Sequence, residues 1–321
     1  MIVKPRNVPI QIKQMDALLR RLPKDHPKRE FISNNLSKRI AGYKGEKELD
    51  YPLSFLPDSE YRIFHDLRLF DGSHYFQLDS LIVSKQYILI LEVKNMLGIL
   101  RFDPDFNQLI RIYDGKEEAF SDPFLQLERQ SDQLKNWLIK HDFPKVPIKS
   151  LVVIATPQTI IQTTSNNPQI LDRVLHCAKL PFKIKSFQND RHKVSLSSEK
   201  LRNLTDHLIK HHIPLEATNL FKQNSISKDE IIKGVQCDDC LSFLMERKVG
   251  KWECPTCEYT SKTAHLKAIN DYALLFGNGI TNPQLRDFLG ISSSSVAKKL
   301  LSSLNLKWVG RTKGRVYYLE V

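Results

Sequence analysis

The chain lacks long hydrophobic runs and a surplus of acidic residues. No apolar stretch in its 321 residues approaches the roughly 20 needed to cross a membrane. Its first residues, MIVKPRNVPIQ, have no signal-peptide core, so we expect a cytoplasmic protein. Acidic residues number 36 against 48 lysines and arginines, which leaves a net charge of +12. This surplus favours a polyanionic partner, either nucleic acid or an anionic membrane surface.

Cysteine is scarce, and four of the five cysteines form two Cys-x-x-Cys pairs. These four are Cys237, Cys240, Cys254 and Cys257. In a cytoplasmic protein this spacing predicts a structural Zn²⁺ site rather than disulfides, with a redox pair as the alternative. Residues 235–260 are therefore expected to form a zinc ribbon whose folding depends on the metal. Cys177 stands alone, and we expect it to fill a small apolar space.

Residues 77–95, QLDSLIVSKQYILILEVKN, predict a β-hairpin that carries charge in apolar surroundings. Two apolar runs flank a polar break at residues 84–86. A turn centred on that break sets Asp79 opposite Glu92. Side chains alternate along a strand, so Lys94 shares their face. Two carboxylates and one ammonium group are thus expected to converge.

Such a cluster suits metal-assisted hydrolysis. Paired carboxylates bind a hard cation such as Mg²⁺, which activates a bound water and stabilises the charge of a phosphodiester displacement. A lysine beside them can orient or deprotonate that water. The alternative is an ion pair without chemistry. Unneeded buried charges are costly, which favours a functional site.

The cluster resembles the PD-(D/E)xK nuclease superfamily. With GYKGEKEL upstream and DPFLQLERQ downstream, residues 41–137 are similar to its nuclease-related (NERD) domain. That family shares a helical Glu after Gly-x-x-Gly, a hairpin Asp, a Glu-x-Lys and a Gln after Asn/Asp-Pro. The matching residues here are Glu46, Asp79, Glu92, Lys94 and Gln126. The resemblance implies an α/β fold with a restriction-endonuclease-like mixed central sheet flanked by helices.

The resemblance also implies roles for these residues. Asp79, Glu92 and the main-chain carbonyl of Val93 would hold Mg²⁺ or Mn²⁺, and Lys94 would position the attacking water. Glu46 would bind the metal indirectly or bind a second ion. Gln126 would orient Lys94 or the water. Without the resemblance, Glu46 would be expected to be solvated and Gln126 to be an exposed helix residue.

Residues 264–321 resemble a winged-helix module. Two predicted helices joined by a short turn with a glycine are followed by a hairpin with a basic tip, RTKGR. In such modules the third helix enters the major groove and the wing meets the backbone. The candidate nucleic-acid contacts, to phosphate rather than to bases, are Ser293, Ser294, Lys298, Lys299, Lys313 and Arg315. The alternative is a module that contacts protein or forms a domain interface.

The remaining segments complete the predicted organisation. Residues 1–40 are expected to be a helical extension packed on the nuclease-like domain, with a basic arm on DNA as the alternative. The α/β domain covers residues 41–215, with an edge strand at 183–187, and residues 216–234 form a linker. A predicted helix ends at His211 and His212, which we expect to be solvated.

These features predict a Mg²⁺- or Mn²⁺-dependent deoxyribonuclease whose C-terminal modules hold the DNA, without a membrane partner. One alternative is a sensor or regulator that binds DNA without cutting it and keeps a vestigial nuclease domain. Another is an RNA-processing nuclease. The intact set of site residues argues against decay, because a vestigial site would be expected to lose at least one of them.

Overall fold

The computed structural model describes residues 1–164, 167–189, 195–311 and 314–320. The chain divides into two units. The first comprises residues 1–8 and 39–215, and the second comprises residues 9–38 and 216–321. No helix in the described ranges is both long enough and apolar enough to cross a bilayer.

The division differs from the predicted organisation at two segments. Residues 9–38 and 216–234 belong to the second unit, where we expected an extension on the nuclease-like domain and a linker. Both segments contact the rest of the second unit: Gln14 donates to the Leu274 carbonyl at 2.8 Å, and the Phe221 ring lies 5.2 Å from that of Phe276.

Helices and strands occur throughout both units. The helices are α1 (Ile10–Arg21), α2 (Arg29–Lys47), α3 (Asp50–Leu53), α4 (Pro123–Lys140), α5 (Pro168–Arg173), α6 (Leu180–Ser186), α7 (Ser198–Lys210), α8 (Leu220–Asn224), α9 (Ala264–Phe276), α10 (Asn282–Leu289) and α11 (Ser294–Ser303). The strands are β1 (Ile2–Lys4), β2 (Arg62–Phe70), β3 (Tyr75–Val83), β4 (Ile88–Lys94), β5 (Ile99–Asp103), β6 (Gln108–Tyr113), β7 (Lys116–Ser121), β8 (Ile148–Ile154), β9 (Ile160–Thr163), β10 (Val174–His176), β11 (Glu246–Arg247), β12 (Trp252–Glu253), β13 (Thr260–Ser261), β14 (Gly279–Thr281), β15 (Lys307–Val309) and β16 (Val316–Tyr318). Single 3₁₀ turns lie at Cys177–Lys179, Phe187–Asn189 and Lys228–Glu230.

The first unit is built on a mixed six-stranded sheet in the order β1-β2-β3-β4-β8-β10. Strands β2, β3 and β4 are antiparallel neighbours, whereas β4, β8 and β10 run parallel. Hydrophobic clusters cover both faces, one with residues of α4 and α7 and the other with residues of α3 and α6. Burial on both faces explains the apolar runs at residues 88–91 of β4 and 151–154 of β8. The expected fold class, a mixed sheet flanked by helices, is confirmed.

The β3–β4 hairpin has the predicted register. Ser80 pairs with Leu91, so the next position along the ladder sets Asp79 opposite Glu92. A second sheet of the unit, in the order β7-β6-β5-β9, follows the hairpin.

The predicted strand at residues 183–187 is wrong. These residues fall mainly in helix α6, which has Pro181 near its start. Leu180 and Ile184 lie one helical turn apart, and both are fully buried. The spacing of four between these side chains places them on one helix face, which a strand would not do.

The second unit combines two small sheets with helices. Strands β11-β12-β13 form one sheet, and β14-β16-β15 form the other. Helix α10 starts with a capping box between Thr281 and Gln284, and it ends at Gly290 in the left-handed conformation. Cys237 and Cys254 share one hydrophobic cluster with residues of α9, α10 and α11.

Candidate active site and metal centres

Glu92 on β4 is contacted through both of its carboxylate oxygens. Lys94, two residues further along the same face, donates from Nζ to Glu92 Oε1 at 2.7 Å. Gln126 donates from Nε2 to Glu92 Oε2 at 2.6 Å. The Glu92 side chain is only 4% exposed, so these two partners replace the water that a surface carboxylate would have. Gln126, which the resemblance predicts to orient Lys94 or a water, contacts the Glu92 carboxylate in this structure.

Helix α4 brings Gln126 to the site from a defined starting point. The Asp122 side chain caps the helix and accepts a hydrogen bond from the Phe124 N–H at 2.8 Å. Pro123 occupies the first turn, where its missing N–H costs nothing. Leu127, beside Gln126, is fully buried. The Asp-Pro motif therefore fixes where the helix begins, and burial fixes which face meets the sheet.

Asp79 joins the two strands one position beyond the Ser80–Leu91 pair. Its Oδ2 accepts a hydrogen bond from the Val93 N–H at 3.0 Å. Burial raises the pKa of Asp79 well above its ordinary value, and the neighbouring Glu92 and Glu46 carboxylates raise it further. A bound cation would offset the excess negative charge of these partly buried carboxylates.

Glu46 reaches this site from the last turn of helix α2. Gly45, beside it, packs against Asn95, where a β-carbon would lie 2.2 Å from Asn95 Cβ. Asn95 Nδ2 also donates to the Ala41 carbonyl at 2.7 Å. Burial raises the pKa of Glu46, and the Arg6 guanidinium opposes this effect. Glu46 therefore belongs to the site and is not a simple solvated residue of the helix.

Arg6 is a site residue that the sequence does not reveal. Its Nη1 donates to Glu46 Oε2 at 2.5 Å and lies 3.4 Å from the Asp79 carbonyl oxygen. Its Nη2 contacts His65 Nδ1 at 2.9 Å and Ser80 Oγ at 3.2 Å. Burial, reinforced by this guanidinium, lowers the pKa of His65 to about 3, so the imidazole is neutral. A single arginine in a polar segment forms no pattern that could have identified it.

Fold and site together define a nuclease-related α/β domain. Residues 41–155 match the family model of the nuclease-related domain, NERD, and this match contains Glu46, Asp79, Glu92, Lys94 and Gln126. The chain therefore carries a domain of the NERD family. It matches no curated protein and no solved structure.

Asp79 and Glu92 fit a hard divalent cation. They lie on one face at the open end of the hairpin, and Mg²⁺ is commonly held by one or two carboxylates with solvent at its other positions. Among the described residues, Glu46, Asp79 and Glu92 do not form a set whose carboxylate oxygens all lie within 4.8 Å of one another.

The four paired cysteines fit zinc. Their sulfur atoms all lie within 4.8 Å of one another. Cys237 and Cys257 are 3.6 Å apart and Cys240 and Cys254 are 3.5 Å apart. Zinc–sulfur bonds of about 2.3 Å in a tetrahedron set the sulfurs about 3.8 Å apart. These thiols are free rather than oxidised, so the cluster could bind Zn²⁺ as the spacing predicts.

Cys177 lies in the first unit, and its thiol donates to the Glu48 carbonyl at 3.4 Å. Burial raises the pKa of this thiol to about 11. A thiol that keeps its proton at neutral pH is a poor nucleophile, which agrees with its expected role as a small apolar filler.

The candidate contacts on helix α11 differ in their surroundings. Ser293 caps the helix and accepts a hydrogen bond from the Val296 N–H at 3.4 Å. Ser294 donates to the Asn282 side-chain oxygen at 3.2 Å. Lys298 and Lys299 are exposed. The two lysines are therefore free to meet solvent, whereas the serines organise the start of the helix.

The hairpin that follows α11 carries the other candidate contacts. The Arg315 guanidinium stacks on the Trp308 ring, with its carbon 3.9 Å from the ring centre. This cation–π contact holds the arginine against β15. Lys313 lies outside the described residues.

Proposed function

We propose that this chain is a metal-dependent nuclease that hydrolyses phosphodiester bonds of DNA. The observation that carries the proposal is the assembly of Asp79, Glu92 and Lys94 at one end of the hairpin, with Gln126 bound to Glu92. Each of these groups sits in the NERD match. A plain ion pair would need neither the second carboxylate nor the glutamine.

Each side chain of the proposed site has its own role. Asp79 and Glu92 would hold Mg²⁺ or Mn²⁺, with the Val93 carbonyl as a further oxygen ligand. An ion held there lowers the pKa of a ligated water and offsets charge on the phosphoryl group. Lys94 is 18% exposed, so its ammonium can reach solvent and position the attacking water. Gln126 keeps Glu92 oriented through its 2.6 Å hydrogen bond.

Glu46 and Arg6 supply the other side of the proposed site. Glu46 would contact the ion through water or bind a second ion. Arg6 forms an ion pair with Glu46, and its side chain is only 3% exposed. Its fixed guanidinium limits the net negative charge that an incoming phosphate would meet.

We assign DNA binding to the second unit. The order α9, β14, α10, α11, β15, β16 supports a winged helix, in which α11 would enter the major groove. Lys298 and Lys299 on α11 and Arg315 on the hairpin would contact phosphates. The net charge of +12 favours such a partner. The cysteine module would hold structural Zn²⁺.

A cleavage assay tests the proposal. The full chain is incubated with single-stranded, duplex, nicked and branched DNA and with matched RNA, in Mg²⁺ and in Mn²⁺. We expect cleavage of at least one DNA substrate that requires the divalent ion and exceeds cleavage of the RNA. A protein that shifts DNA in a gel but is inert with both ions would instead support a DNA-binding sensor or regulator. Preferential cleavage of RNA would support an RNA-processing nuclease.

A further inference from the structure

Three histidines meet at the end of α4 that lies away from the candidate active site. His141 directly follows α4, and His207 and His211 lie one turn apart at the end of α7. Potential ligand nitrogens of all three lie within 4.8 Å of one another. His141 follows Gln126 by 15 residues, which at a rise of about 1.5 Å each is about 22 Å along α4. The group is thus separate from the carboxylate cluster.

The three imidazoles pack against one another and against two aromatic rings. Ring centres are 4.3 Å apart for His207 and His211, 4.7 Å for His141 and His211, and 5.0 Å for His141 and His207. The buried Trp137 ring lies 4.4 Å from His141, and Phe143 lies 5.4 Å from His207. Each histidine is half-buried, so the three rings are partly shielded from solvent.

The hydrogen bonding prepares His211 to act as a ligand. Its Nδ1 lies 2.9 Å from the carbonyl oxygen of His207. A carbonyl can only accept, so Nδ1 is the donor in this contact and Nε2 is the nitrogen left to face a metal ion. Metal-binding histidines commonly donate their other ring nitrogen to a backbone carbonyl in this way. The sequence predicted a solvated His211, but in the structure this ring hydrogen-bonds to the His207 carbonyl.

The donor atoms select the kind of ion. Imidazole nitrogens suit borderline transition-metal ions, whereas Mg²⁺ and Ca²⁺ prefer oxygen. The two histidines of α7 have the i, i+4 spacing that places both on one face toward a metal.

We propose that His141, His207 and His211 bind one divalent transition-metal ion of the zinc class. Bonds of about 2.1 Å in a tetrahedron set the nitrogens about 3.4 Å apart, so nitrogens that lie within 4.8 Å of one another would move to that spacing on binding. The ion joins the end of α4 to the end of α7 and leaves one coordination position for solvent. This site is distinct from the four cysteines and does not depend on nuclease activity.

Titration of the full chain with Ni²⁺ tests the site. The cysteine module is first saturated with Zn²⁺, the excess is removed, and the Zn²⁺ content is measured before and after titration to exclude exchange. With excess Mg²⁺ present to occupy the carboxylate site, we expect calorimetry to show one further equivalent of Ni²⁺ bound. Ni²⁺ should also quench the fluorescence of Trp137, because this ring contacts His141. Trp137→Phe should lose that quenching and keep the binding.

Variants of the ligands provide the contrast. His207→Ala and His141→Ala should each raise the Kd for Ni²⁺ by about 100-fold or more, since loss of an outer-shell partner alone costs about 10–100-fold. His74→Ala removes an exposed histidine of the β2–β3 turn and should leave the Kd unchanged. Circular dichroism checks folding, and His211→Gln replaces either variant if it misfolds. Absence of saturable binding in the parent chain, or equal affinity in all variants, overturns the site and leaves a packed aromatic cluster.

Discussion

Gly45 lies so close to Asn95 that no side chain fits between helix α2 and the end of strand β4. A β-carbon at residue 45 would stand 2.2 Å from Asn95 Cβ and 2.7 Å from its Cγ. Asn95 also holds the helix directly, by donating to the Ala41 carbonyl. The contact therefore sets the distance between the helix that carries Glu46 and the strand that ends in the Glu-x-Lys motif.

The first prediction concerns the two glycines of α2. Gly45→Ala should lower the free energy of unfolding by about 1–3 kcal/mol, because the added methyl would overlap Asn95 Cβ. This atom is bonded directly to the backbone and cannot rotate away. The substitution should also reduce cleavage by shifting Glu46. Gly42→Ala is the control, since a β-carbon there meets nothing within 4 Å and alanine favours a helix by up to about 1 kcal/mol. Urea unfolding compares them, and equal stability of both variants would contradict the close contact.

The second prediction concerns the hydrogen bond from Gln126 to Glu92. Gln126→Ala leaves one oxygen of a buried carboxylate without its partner, so cleavage should fall by about 10–100-fold, as for other groups that orient a metal ligand. Gln133→Ala removes a glutamine of the same helix that donates to Asp71 instead, at 3.0 Å. Cleavage rates at saturating Mg²⁺ measure both. A loss of the same size in Gln133→Ala would show that the effect comes from the helix and not from Glu92.

The third prediction concerns the ion pair between Arg6 and Glu46. Arg6→Ala leaves the carboxylate in a partly buried site without a counter-charge, which should cost about 3 kcal/mol of unfolding free energy. The double variant Arg6→Met with Glu46→Gln should recover most of this loss. Arg101→Ala breaks the more exposed pair with Glu117 and should cost less than about 1 kcal/mol. Chemical denaturation tests all three, and a small effect of Arg6→Ala would count against a buried pair.

The fourth prediction concerns pH. The pKa of Asp79 is raised in the folded protein. Without a divalent ion, ionisation of this group therefore lowers the free energy of unfolding as pH rises from the pKa of the unfolded chain to the pKa of the folded protein. Asp79→Asn removes that penalty. Without added divalent ion the variant should therefore have the higher Tm at pH 7, and the gap should shrink as pH falls toward about 4, near the ordinary pKa.

Addition of Mg²⁺ should reverse this order by stabilising only the parent chain. Asp132→Asn, a change at an exposed residue of α4, is the control. It should leave the Tm unchanged both without and with Mg²⁺. If Asp79→Asn were the less stable protein at pH 7 without the ion, the account of Asp79 would be wrong.

Local patterns were enough to predict much of the first unit. The apolar runs of β3 and β4 around a polar break determine their register, so the opposition of Asp79 and Glu92 follows from the sequence. The Asp122-Pro123 pair marks where α4 begins. Resemblance to the NERD family, rather than periodicity, identified Glu46 and Gln126, because both lie among polar neighbours on helices.

Contacts between distant segments could not be predicted in the same way. Arg6 and Glu46 are 40 residues apart, and neither belongs to a periodic pattern that links them. His141 and His207 come from helices separated by β8 and β10, so their meeting depends on the tertiary fold. The grouping of residues 9–38 with 216–321 likewise depends on which apolar faces meet, which a single sequence does not specify.

We propose that Asp79, Glu92 and Lys94 cut DNA with a divalent ion. Lys94→Ala removes the ammonium that donates to Glu92, and Lys85→Ala removes an exposed lysine from the turn of the same hairpin. Cleavage and DNA binding are measured for both variants, and for Asp79→Ala, in Mg²⁺. The account predicts that Lys94→Ala and Asp79→Ala bind DNA like the parent chain but lose cleavage, while Lys85→Ala keeps both. Equal cleavage by the parent chain and Lys94→Ala would contradict it.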